Sequence, residues 1–142
     1  DTPANLFTAG FMGTPKMNLL KAKLSDDGHD VLFYGVRMPV SQQFKDAAQR
    51  YKGRDVIVGI RPEHIGAAHE VEWQSDCSIT GTVEIPEPLG HEVIVHFLLQ
   101  GQAMAGRLRS HATLPALGAP ITMQVRTEAM HLFDPVSEER LR

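Results

Sequence analysis

The stretch VIVGIRPEHI, residues 56–65, begins as a strand and ends as a corner. Val56, Val58 and Ile60 fall on one side of an extended chain and Ile57 on the other, and β-branched residues of this kind suit a pleated surface. Gly59 permits close packing or an unusual φ. Pro62 pushes Arg61 toward extended backbone. It also suits the first position of a helical turn, and Glu63 is favoured beside that turn's positive end. His64 and Ile65 complete the turn, with Ile65 pointing inward. Arg61, Glu63 and His64 stand together as in a catalytic or ligand-binding cluster, but a strand-to-turn corner accounts for them better.

Outward from this corner the chain repeats short strands between turn signals, the pattern of an all-β barrel or sandwich. Leu20, Ala22 and Leu24 alternate with Lys21 and Lys23, so one face is buried and the other wet. Asp27-Gly28 supplies positive φ angles for a tight hairpin, and Val31 to Val36 forms the returning strand. Cys77, Ile79, Gly81, Val83 and Ile85 alternate with Ser78, Thr80, Thr82 and Glu84, and Gly81 marks a bulge or a close backbone approach. PEPLG, residues 86–90, reads as a turn, and His91 to Leu99 as the longest strand. Val93, Val95, Phe97 and Leu99 line one of its faces; the other face mixes Glu92, Ile94, His96 and Leu98. A weaker strand follows from Met104 to Arg109. ITMQVRT then places Ile121, Met123 and Val125 inward, and Leu132-Phe133 anchors the tail.

One helix interrupts the strands, at SQQFKDAAQRYKG, residues 41–53. Phe44, Ala47, Ala48 and Tyr51 form its apolar stripe, Ser41 caps its start and Gly53 ends it. Residues 1–12 have helical apolar spacing and read as a linker helix. The expected fold is mainly β, a small barrel with one short amphipathic helix inserted.

The composition excludes several functions. A length of 142 residues suits one domain, about two-thirds of whose surface is buried on folding without disulfides. A net charge of −3 and 6% aromatic residues argue against a nucleic-acid partner and against an anionic membrane footprint. Cys77 is the sole cysteine, which forbids an intramolecular disulfide and fits a reducing compartment. No apolar run is long enough to span a membrane. The start at Asp1 lacks both a Met and a signal-peptide pattern, and the chain reads as cut from a longer one.

The titratable residues are not arranged for chemistry. His64 and His69 are separated by a turn, and His91 and His96 point to opposite faces of a strand. No His-x-x-x-His helix and no Cys-x-x-Cys pair is present, so no metal is expected. Cys77 falls on an apolar strand face, no Gly-x-Ser-x-Gly elbow exists, and no Gly-rich loop could cradle nucleotide phosphates.

AGFMGTPKMNLL (9–20), VGIRPEHI (58–65), EPLGHEVIVHF (87–97) and MHLFD (130–134) follow one another in a fixed order. Together they resemble the C-terminal regulatory region of the ATPase subunits of bacterial carbohydrate ABC importers, the group that includes the maltose and glycerol-3-phosphate importers. The resemblance implies that residues 1–12 end a nucleotide-binding domain and that 13–142 form an OB-like β-barrel of the TOBE (MOP-like) type. The Walker and signature motifs would lie upstream, so it implies a fragment that is not an enzyme and holds no cofactor, ATP and Mg belonging to the absent domain. It further implies a homodimer, permease partners reached through the absent domain, in some members a regulatory protein, and a cytoplasmic place on the inner face of the membrane. Gly59, Ile60, Arg61, Pro62, Glu63 and His64 are then a family motif that forms a structural corner and is a possible partner contact. Ile94, His96 and Leu98 are the candidate dimer face. The helix at 41–52 lies where the family varies. The alternative is a small-molecule or oxyanion sensor; a related barrel binds molybdate-like anions through a Ser-Ala-Arg-Asn-type opening that this chain lacks.

Overall fold

The computed structural model describes residues 16–73, 77–109 and 115–142, so the expected linker helix at 1–12 lies outside the described residues. The chain is mostly β, as expected, and divides into two compact units where one domain was read. The first takes in the described residues up to Ile60 and those from Thr127 to Arg142; the second runs from Arg61 to Arg126.

The first unit is a five-stranded antiparallel sheet. Its strands are β1 (Asn18–Leu24), β2 (Asp30–Phe33), β3 (Val36–Pro39), β4 (Asp55–Ile60) and β10 (His131–Phe133), in the order β10-β4-β1-β2-β3. Leu20, Ala22 and Leu24 are buried while Lys21 and Lys23 are exposed, as the alternation requires. In the β1–β2 loop only Gly28 takes a positive φ, 75°. Asp27 works through its carboxylate instead, accepting hydrogen bonds from the Ser25 hydroxyl at 2.6 Å and the His29 amide at 2.9 Å.

The single strand expected from Val31 to Val36 is two strands. Tyr34 (φ 48°) and Gly35 (φ 77°) both adopt left-handed backbone and fold β2 onto β3. A two-residue hairpin turn of this kind needs positive φ at both positions. A tyrosine at the first of them hides the signal from a sequence reading. The helical segment opens with a 3-10 turn, Gln42–Phe44, and continues as α1, Lys45–Arg50. Phe44, Ala47 and Ala48 are buried, and Gly53 has φ 75°. Ser41 does not cap it with its side chain; the hydroxyl donates to the Met130 carbonyl at 3.4 Å, and the Ser41 carbonyl accepts the Phe44 amide.

The second unit is a closed barrel of β5 (Ile65–Gly66), β6 (Ser78–Leu89), β7 (Glu92–Leu99), β8 (Gln102–Leu108) and β9 (Pro120–Val125), in the order β5-β8-β7-β6-β9. The short β5 closes it, parallel to β8 and antiparallel to β9. Ile65, Ile79, Val83, Val95, Phe97 and Val125 are buried in its core. A Cβ at Gly81 would meet the Leu98 carbonyl oxygen and, at 2.7 Å, Phe97 Cδ2, so this glycine marks a close approach.

The irregularity in β6 comes later, between Val83 and Ile85, where Glu84 is the extra residue. It reverses the alternation, and Ile85, expected inside, is 61% exposed. PEPL is not a turn but the continuation of β6, whose 12 residues make it longer than β7. The turn is Gly90-His91, with Gly90 at φ 62°. Pro86 and Pro88 are tolerated because β9 pairs only with residues 78–82, leaving this end of β6 on an edge. Prolines at alternate positions remove amides from one side of the strand, which discourages any further strand from adding there.

Candidate functional site: the Gly59–His64 corner and the barrel face

Val56, Val58 and Ile60 are buried on one side of β4, and half-buried Ile57 lies on the other. Gly59 pairs with Leu19 and His131. A Cβ there would meet Met17 Sδ at 2.5 Å and Phe133 Cε2 at 3.0 Å, so close packing is what requires the glycine. Gly59 and Ile60 belong to the first unit, whereas Arg61, Pro62, Glu63 and His64 belong to the second.

Arg61 is extended (φ −73°, ψ 148°), and Pro62 opens a 3-10 turn, Pro62–His64, with Glu63 in its first turn. The His64 amide donates to the Arg61 carbonyl and the Arg126 amide to the His64 carbonyl, each at 2.9 Å. Ile65 is fully buried and pairs with Val125. The residues that suggested a reactive cluster thus hold a backbone corner by these hydrogen bonds.

His64 is half-buried, and its Nδ1 has no hydrogen-bond partner among the described residues. Burial pushes its pKa below the ordinary 6.5; Glu63 opposes this, and Arg126, Arg61 and Arg107 add to it. The folded state therefore favours neutral imidazole. The unfolded chain takes up the proton first as pH falls past 6.5, so the His64 contribution to stability is whole above that pH and is lost below it. Thermal melts of the parent should decline between about pH 7 and pH 5, and His64→Gln should flatten part of that decline. Parallel curves for the two chains would refute this.

On the barrel, β7 presents Ile94, His96 and Leu98 on the face opposite the core. Ile94 is only 1% exposed, whereas His96 and Leu98 are half-buried. The open part of this face is therefore smaller than the candidate set implied. It gains Ile85 instead, which the displaced register sets opposite His96. His96 Nε2 lies 2.9 Å from Glu87 Oε1, and Arg107 pairs with Glu92 at 3.2 Å. The displacement at Glu84 was the missing signal, because strict alternation turned Ile85 inward.

Cys77 is buried, and its thiol is pushed up to about 11 by desolvation, which leaves it protonated and unreactive at neutral pH. Among the described residues no group of three or more His, Cys, Asp or Glu side chains is placed to hold a metal ion. No helix among them is long and apolar enough to cross a membrane.

Two family models match the chain in tandem, the MalK OB fold domain over residues 13–65 and the TOBE domain over 58–133. The chain is 32% identical over 139 residues to the sulfoquinovosyl glycerol transport ATP-binding protein SmoE of Agrobacterium fabrum, an alignment covering 98% of this chain and 37% of the relative. It is 36% identical over 141 residues to the sn-glycerol-3-phosphate import ATP-binding protein UgpC of Chromobacterium violaceum, covering 99% and 36%. It is 37% identical over 138 residues to the trehalose/maltose import ATP-binding protein MalK of Thermococcus litoralis, covering 94% and 37%. The chain thus spans little more than a third of the length of these relatives. A solved structure of the cytoplasmic molybdate-binding protein ModG shares the fold, with TM-score 0.65 and 18% identity over 83% of this chain and 96% of that one. The chain belongs to the TOBE domain family and carries a MalK-type OB fold segment ahead of its TOBE segment.

Proposed function

We propose that this chain is a non-catalytic regulatory and dimerisation domain of the ATP-binding subunit of an ABC system importing a sugar or glycerol 3-phosphate. The carrying observation is that transport and import ATP-binding proteins match almost all of this chain while extending well beyond it. In this reading ATP and Mg belong to the remainder of the parent protein, which also meets the membrane permease and keeps the subunit on the inner membrane face. The domain itself binds no cofactor and presents a surface for its twin and for any regulatory protein.

The physical logic is effective concentration. A contact outside the catalytic domains holds two ATPase subunits near each other after they separate, so each cycle need not begin with a diffusive encounter. Exposed Ile85 and half-buried Leu98 supply the apolar part of the contact. The proline-bearing edge of β6 directs association through side chains rather than through an added strand.

Analytical ultracentrifugation of the 142-residue chain should show a dimer at moderate concentration. Ile85→Glu with Leu98→Glu should give a monomer whose circular dichroism is unchanged. Ile94 is left intact because a charge at a site 1% exposed would unfold the barrel. A parent that stays monomeric at high concentration refutes dimerisation, and an unaltered sedimentation coefficient for the double variant excludes this face.

A further inference from the structure

We infer that the outer face of the barrel is complementary to itself, so that a second copy of this chain packs on it across a two-fold axis lying along β7. The inference rests on the dimer reading above and gives that contact its geometry. Two cross-strand rows carry it. Ile85 of β6, His96 of β7 and Ala105 of β8 lie side by side in the first, and Glu87, Ile94 and Arg107 in the second. Each row has unlike residues at its two ends, with β7 between them. In the first row a large aliphatic side chain, 61% exposed, stands opposite a half-buried alanine. In the second an acid stands opposite a base.

Rotation about an axis parallel to β7 in the plane of contact sets β6 of one copy over β8 of the other and keeps every row in place. Ile85 then lies over Ala105 of the second copy, and Glu87 over its Arg107. Contacts of an isologous dimer occur twice, so two large side chains meet two small ones and two acids meet two bases. Leu98, on the axis, meets its own counterpart. The charges can do this without leaving the partners they have. Arg107 reaches Glu92 through Nε at 3.2 Å, and a guanidinium has further N–H donors on its terminal nitrogens. Glu87 reaches His96 Nε2 through Oε1 at 2.9 Å, and a carboxylate has a second oxygen to offer an arginine. An axis across the strands does worse. It sets β6 on β6, so that Glu87 meets Glu87, Ile85 or Leu89 of the second copy, and β8 on β8, where Arg107 finds no carboxylate. Packed sheets keep their strand directions within about 30° of each other, so the match holds best at the centre of the face, where these two rows lie.

Glu87→Arg and Arg107→Glu should each weaken the dimer about tenfold or more in analytical ultracentrifugation, because each sets two like-charge pairs across the axis. An equimolar mixture of the two variants should recover the dimer, since every such pair in the mixed dimer is again of opposite sign. Mixing does not repair the contacts to His96 and Glu92 inside each chain, so recovery reads the contact between copies alone. Cysteine chemistry checks the geometry without these charges. Ile85→Cys and Ala105→Cys chains should cross-link under mild oxidation when mixed, and neither with itself. Like positions lie about two strand spacings apart, roughly 10 Å and beyond the reach of a disulfide. Cys77 is buried and stays out of the reaction. A parent that stays monomeric overturns the dimer reading and this inference with it. A dimeric parent whose charge variants also dimerise, or whose mixture stays monomeric, leaves the dimer reading intact and overturns this one. So do cysteines that join in like pairs or not at all, a result that decides the matter even where a charge variant fails to fold.

Discussion

Replacing Gly81 by valine is expected to unfold the barrel unit. Gly81 pairs with Ile121 on one side, while the Leu98 carbonyl oxygen and the Phe97 ring crowd it on the other. A side chain there meets backbone, which cannot rotate aside, and β6 cannot retreat without breaking its ladder with β9. Phe97 cannot yield either, being fully buried. Overpacking of this kind costs about 3 kcal/mol or more, a large share of a stability of about 5–15 kcal/mol. Gly90→Ala is the control: nothing lies within 4 Å of a Cβ there, and only the positive φ of 62° is opposed, at about 1 kcal/mol. Urea denaturation should separate the two variants clearly. Equal midpoints would mean that the strands part readily at residue 81.

Phe44→Ala should weaken the sheet unit by about 3–5 kcal/mol, the usual loss when a large buried ring is deleted. The Phe44 ring is fully buried, meets His131 edge to face at 6.4 Å between centroids, and lies beneath the Arg140 guanidinium at 4.9 Å. One side chain thus joins the helical segment to β10 and to the C-terminal residues. The midpoint of an unfolding transition reporting on β1–β4 should fall accordingly. A change below about 1 kcal/mol would show that the neighbours collapse into the space and that the ring is not the anchor.

Strands whose burial alternates without interruption were legible in the sequence. The inward sets of β1, β4 and β7 follow directly from residue type, as do the corner at Arg61-Pro62 and the glycine ending the helical segment. The misreadings share a physical cause, local backbone geometry that side-chain pattern does not encode. Tyr34 takes a left-handed turn position that glycine or asparagine usually marks, so two strands looked like one. Pro86 and Pro88 look like a turn, yet they sit on an edge where their missing amides do no harm. Glu84 shifts the register by one residue and turns Ile85 outward. The division into two units was not visible because no linker-like composition separates Ile60 from Arg61. At the candidate sites the corner was readable, whereas the burial of Ile94 and the register that sets Ile85, His96 and Ala105 in one row needed coordinates.

β10 pairs with β4 although the whole barrel lies between them in the sequence. On a ribosome this separation becomes an order of events. The first four strands of the sheet emerge early, but the edge of β4 stays unpaired until residues 61–126 have been made and His131–Phe133 appears. A nascent chain halted at Arg126 would hold every barrel strand and an unfinished sheet. The sheet unit, first to begin, is the last to be completed.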